Sequence, residues 1–179
     1  MKKTPLVGMF DSGIGGLTVL RECVRLLPNC RFLYYGDNDH VPYGSKTEEE
    51  IYSYTERAME YFLRAGVNAA VLACNTATAV AAEGLRKRFP FPIVGLEPAV
   101  KPASEACKNV LVLATPRTAE SGRLHRLVER FSCRFHIVPA PELAAAIERN
   151  LTQGEPFSIA DYLPKGEFDG VVLGCTHYV

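Results

Sequence analysis

Three apolar residues, Val71-Leu72-Ala73, run straight into Cys74, and Asn75-Thr76-Ala77-Thr78 follows at once. An apolar run this short and this abruptly ended reads as a buried strand, and the alanine-rich stretch after it predicts a helix starting near Asn75. The same order returns in Val171-Val172-Leu173-Gly174-Cys175-Thr176-His177. Strands buried on both faces belong to parallel sheets, whose strands must be joined by helical crossovers. Polar residues directly after such a strand mark the C-terminal sheet edge, where α/β proteins place ligands.

The remaining chain supplies the strands and crossovers. Residues 6–10 predict a first strand, ended by Asp11-Ser12-Gly13-Ile14-Gly15-Gly16, with a helix over 17–27 whose Leu17, Leu20, Val24 and Leu27 share one face. The glycine loop has neither the GxGxxG nor the GxxxxGK[ST] spacing, and Asp11 would face the phosphates. It reads as a tight turn whose N–H groups and Ser12 can hold a carboxylate, while Asp11 accepts from an ammonium or steers a base. Residues 31–35 predict a second strand. An irregular loop over 36–44 follows, with Tyr43 between Pro42 and Gly44, and with His40 read as a surface residue. Thr47 and Glu50 form a capping box for a helix ended by Gly66, and 92–96 is a fourth strand. A second run begins near Glu97. It has a strand over 109–114, Thr115-Pro116-Arg117-Thr118, a helix to about Arg130 and a strand over 134–138. A helix from Pro141 then shows Leu143, Ile147 and Leu151 on one face, and the Cys175 strand closes the run. The fold class is therefore α/β. Two parallel-sheet halves, 1–96 carrying Cys74 and 97–179 carrying Cys175, are expected to be covered on both faces and to meet across a cleft.

A lone cysteine at a strand end is as well explained as a small buried hydrophobe. Two at matched ends point to a pair of reactive groups. The unpaired N–H groups and partial positive charge at a helix start predict a lowered pKa for such a thiol. Of the six cysteines, Cys23 and Cys107 fall in helical segments and Cys30 and Cys133 at strand entrances, and these four read as structural. The spacings contain neither CxxC nor a Cys/His zinc pattern, so no metal is expected. His125 and His136 receive no role. Twenty basic residues balance twenty acidic ones, which removes the electrostatic case for nucleic acid or an anionic membrane surface. The first apolar run is too short for a signal peptide and no stretch reaches the length of a membrane span, so reduced thiols in the cytoplasm are expected.

Taken together, Phe10-Asp11-Ser12-Gly13-Ile14-Gly15-Gly16, Tyr35-Gly36-Asp37 with Pro42-Tyr43-Gly44, Ala73-Cys74-Asn75-Thr76-Ala77-Thr78, Gly95-Leu96-Glu97-Pro98-Ala99 and Gly174-Cys175-Thr176-His177-Tyr178 resemble the cofactor-independent glutamate racemases of the aspartate/glutamate racemase superfamily. The resemblance implies Cys74 and Cys175 as the two catalytic bases, with Asp11 and His177 assisting them. It implies that Asp11, Ser12, Tyr43, Gly44, Asn75, Thr76, Thr176 and His177 contact the amino acid. It also aligns Glu148, seven residues after Pro141, with a further catalytic carboxylate, and Thr118 with a substrate-side threonine. No cofactor is implied. The implied partner is free glutamate, with a homodimer allowed, and the implied role is supply of D-glutamate for peptidoglycan. Members of the family continue past Thr-His-Tyr, where a proline usually stands in place of Val179. The second half and the closing segment are therefore expected to be incomplete. The readings left open are a catalytically silent amino-acid-binding fragment and a racemase of the same superfamily acting on another amino acid, such as aspartate.

Overall fold

Seven short strands sort into two parallel sheets in the computed structural model, which describes residues 4–179. The first half runs β1 (Leu6–Asp11), α1 (Gly16–Leu26), β2 (Arg31–Gly36), α2 (Glu48–Ala65), β3 (Ala69–Leu72), α3 (Asn75–Arg88) and β4 (Ile93–Gly95). Its strand order is β2-β1-β3-β4. The second half runs α4 (Val100–Ala106), β5 (Asn109–Ala114), α5 (Pro116–Ala119), α6 (Gly122–Val128), β6 (Arg134–Pro139), α7 (Leu143–Gln153) and β7 (Gly170–Gly174), in the order β6-β5-β7.

Local chemistry sets these elements. At α2 the Thr47 hydroxyl accepts from Glu50 N at 3.2 Å while Glu50 returns to Thr47 N at 2.8 Å, and Gly66 ends the helix at φ 72°. The inner face of α2 carries Ile51, Met59 and Phe62, each fully buried against Phe10, Ala70 and Leu72 of β1 and β3. Burying side chains of this size stabilises by about 1.5–3 kcal/mol each. The second core is smaller: Val110, Val112 and Val172 meet Val100 of α4 and Leu124 of α6.

The structure departs from the sequence reading in three places. The helix expected to run to Arg130 is two helices, because the Ser121 hydroxyl accepts from Leu124 N and starts a new one. Leu151, placed on the apolar face of α7, is 63% exposed, while Leu143 at the start of that helix is fully buried. Cover on both faces is also incomplete. The α1 helix packs on β1, β2 and the Thr176–Tyr178 turn, Val94 of β4 is 56% exposed, and Val171 and Leu173 of β7 face outward while Val172 is buried. No helix among the described residues is long and apolar enough to cross a membrane.

Candidate active site

In each sheet the chain reverses its direction of travel beside the central strand. The first sheet reverses between β1 and β3, and the second between β5 and β7. Such switch points open a crevice at the C-terminal strand ends. The register Phe10↔Leu72 brings Asp11 and Ser12 beside Ala73 and Cys74, and Ala114↔Gly174 brings Thr115 beside Cys175. The two crevices face each other. The Thr176 hydroxyl from the second half donates to Asp11 Oδ1 of the first at 3.1 Å.

Cys74 caps α3. Its Sγ accepts from Ala77 N at 3.5 Å, and its thiol donates to Ser12 Oγ at 3.5 Å. The expected lowering of its pKa does not occur. Burial pushes the thiol up to about 11 and the Asp11 charge adds to this, while Ser12 and the N–H groups of Ala77 and Thr76 pull the other way. Removal from water outweighs the helix terminus, because a thiolate inside the closed cleft loses its hydration. Cys175, also buried, is raised for the same reason, and a charge on Cys74, Asp11 or Glu148 would raise it further. Ionising one thiol therefore opposes ionising the other.

Cys175 has a relay behind it. Its Sγ lies 3.8 Å from His177 Nδ1, and His177 Nε2 lies 2.5 Å from Glu148 Oε1. In a neutral ring, a proton on Nε2 held by the carboxylate would leave Nδ1 as an acceptor toward the sulfur. Asp11 is fully buried. Burial raises its pKa, and nearby His177 opposes this together with the N–H groups of Gly13 and Gly16 and the Thr176 hydroxyl. The glycine loop is the seam between the halves. A methyl group added at Gly13 would lie 2.7 Å from Glu148 Oε1, and one at Gly15 would lie 2.7 Å from the Thr176 carbonyl carbon.

The remaining sequence-predicted residues line the same cleft with different attachments. Thr76, Thr115 and Thr118 form a buried ring of hydroxyls at 3.0, 3.2 and 3.1 Å, joining α3 to the start of α5. The Asn75 amide donates to Leu96 O at 3.4 Å, which ties it to the end of the β4 segment. The Tyr43 hydroxyl donates to Asp37 Oδ2 at 2.6 Å and is turned into the core, so the Tyr43–Gly44 backbone is what remains for a ligand. Gly44 abuts Thr115, beside a cavity of about 180 Å³ that also touches Pro42, Pro116 and Ala140. His40 is not a free surface residue: its ring stacks on Tyr54 at 3.9 Å and pairs with Asp37 at 2.7 Å. Sequence reasoning missed Asp37 and Thr115. Thr115 had a signal, since a threonine followed by proline is a helix start with proline in its first turn. Asp37 had only its place in the loop.

The Asp/Glu/Hydantoin racemase family model matches residues 7–179. The glutamate racemase of Clostridium novyi (strain NT) is 42% identical over 184 residues, covering 96% of this chain and 70% of that protein. That of Ectopseudomonas mendocina (strain ymp) is 47% identical over 186 residues, covering 96% and 69%. The solved structure of Escherichia coli glutamate racemase, in complex with L-glutamate and the activator UDP-MurNAc-Ala, aligns with a TM-score of 0.86 at 36% identity and covers 98% of this chain and 71% of that one.

Proposed function

The chain belongs to the Asp/Glu/hydantoin racemase family, and from that premise we propose that it interconverts L- and D-glutamate by proton transfer between two thiols. The observation that carries this reading is the pair of buried cysteines at facing switch points, one from each sheet. Inverting an α-carbon requires a base on one face and an acid on the other. A thiolate takes the α-proton, the bonding electrons stay on carbon, and the opposite thiol returns a proton from the far side. The raised pKa of each cysteine suits this task, because a thiolate of high pKa is the stronger base toward a weakly acidic C–H. In this reading the substrate ammonium settles between Asp11 and Ser12. The Thr76 and Thr176 hydroxyls and the N–H groups at the start of α3 receive the α-carboxylate, and the Tyr43–Gly44 backbone bounds the end where the side-chain carboxylate lies. Closed walls and fixed donors stabilise the carbanion. Asp11 and His177 adjust the two thiols, and Glu148 holds His177.

The test is L-glutamate in deuterated water. Decay of the circular dichroism signal with one solvent deuterium at the α-carbon of the product supports the reading, and a constant signal rejects it. Aspartate offered in parallel resolves the substrate. A role in supplying D-glutamate for peptidoglycan from the cytoplasm is part of the same proposal. It is checked by rescue of a bacterial strain that requires D-glutamate.

A further inference from the structure

We propose that Tyr34 is a positioning residue for this reaction, holding Gly13 against the His177–Glu148 pair behind Cys175; the proposal rests on the racemase reading above. Tyr34 lies on β2, paired in register with Met9. Its hydroxyl donates to Gly13 O at 2.7 Å. On its other side Gly13 is also held, its N–H donating to Asp11 Oδ2 at 3.2 Å. Gly13 is thus clamped through both backbone polar groups. An added methyl group there would meet Glu148 Oε1 at 2.7 Å and His177 Nε2 at 3.1 Å of the second half, and Val41 Cγ2 of the first at 3.3 Å. A loop that moved toward the pair would strike it, and one that moved away would open space for water beside the imidazole. A phenol has a single proton, and here it is committed to Gly13, so Tyr34 acts through the loop and not on the amino acid. Burial, together with the charges of Asp11, Cys74 and Glu148, holds that phenol well above its ordinary value, so it remains a donor throughout the neutral range.

The clamp meets the Cys175 side directly, at Glu148 and His177, and reaches Cys74 only through the neighbouring Ser12, and that asymmetry is measurable. Because the enantiomers have equal free energy, loss of the clamp must lower kcat/KM equally in both directions. The isotope effects are not so constrained. If the transition state beside Cys175 rises, cleavage of the α-bond limits the direction that begins at Cys175 more strongly. The opposite direction, which begins at Cys74, becomes less limited by cleavage. With α-deuterated L- and D-glutamate, Y34F should lose about tenfold in kcat/KM, part of the roughly hundredfold that a 1 Å misplacement brings. Its isotope effect should rise in one direction and fall in the other. Wild-type rates, or a loss with both isotope effects unchanged or moving together, would overturn the assignment. G36A gives the same reading without altering the tyrosine, should Y34F not fold, because its methyl group would lie 2.9 Å from Gly13 O and 3.2 Å from Tyr34 Cε1. A wild-type chain silent toward glutamate overturns the racemase reading alone. The ¹⁵N resonances of the His177 ring, which need no turnover, then decide the clamp: displacement in Y34F supports it, and unchanged resonances refute it.

Discussion

Cys74 stands at the head of a 14-residue helix with the Ser12 hydroxyl beside it. Cys175 is followed by a three-residue turn and leans on His177, which leans on Glu148. The two thiols occupy equivalent places in their sheets, are desolvated alike and each has backbone N–H support; beyond that one has a hydroxyl, the other an imidazole and a carboxylate. The helix terminus is a fixed support that cannot take up a proton. The imidazole can move one. In the proposed racemisation, which must run in both directions with equal ease, the thiols are two stations of unlike construction, and symmetry lies in the energetics and not in the residues.

Removing either sulfur breaks the comparison outright. Cys74→Ala and Cys175→Ala should each lower racemisation by about 10²–10⁴-fold, the range that a positioned proton donor or acceptor contributes. Turnover measured by circular dichroism checks this, and substantial activity in either variant would contradict the pairing.

The next effect is on stability. Cys74 ionises at about 11 in the folded chain against 9.0 for an ordinary cysteine. Between those values the unfolded chain has already released the proton that the folded chain retains, so folding stability falls as pH rises. The contribution is fully present below pH 9.0 and lost as pH passes about 11. At about 1.4 kcal/mol per pH unit the loss is about 3 kcal/mol. Cys175 acts in the same sense. Thermal melts across this window should show the decline, and Cys74→Ala should reduce it; a wild-type melting temperature that does not change with pH would show that the thiol is better solvated than the structure implies. The rate itself should pass through a maximum in pH, its limbs belonging to the coupled pair.

Smaller effects sharpen the contrast between the stations. Glu148→Gln weakens a charge-assisted bond, worth about 1.5–3 kcal/mol, and should slow turnover by about 10–100-fold. Ser12→Ala removes a neutral hydroxyl worth about 1 kcal/mol, and should cost about fivefold. Equal losses in the two variants would mean that the carboxylate gives Cys175 no more than a hydroxyl gives Cys74.

Much of this arrangement is legible in the sequence because strands that end abruptly in polar residues reveal the sheet edge on which they end. Asp11, Cys74 and Cys175 could be placed that way, and the capping box of α2 could be read directly. The state of the thiols could not. The helix start after Cys74 is local and visible, whereas the burial that overrides it comes from packing among residues far apart in the chain, Phe10, Tyr43 and Ile51 among them. Tyr34 and His40 escaped for a related reason. Each is tied down by a partner in another element of the first half, Gly13 or Tyr54, and nothing in the neighbouring sequence marks that partner. The break at Ser121 was visible as a serine followed by glycine, a pattern that starts helices as readily as it interrupts them.

The bond from Thr176 to Asp11 spans 165 positions of the chain. At a synthesis rate of about 5–20 residues per second, roughly 10–30 s separate the emergence of these two residues from the ribosome. Throughout that interval the first sheet can form on its own core, which already includes Cys74, while the Asp11 carboxylate still lacks its Thr176 donor. The nascent first half therefore holds Asp11 without its Thr176 donor, and arrival of the Cys175 strand is the event that completes that bond.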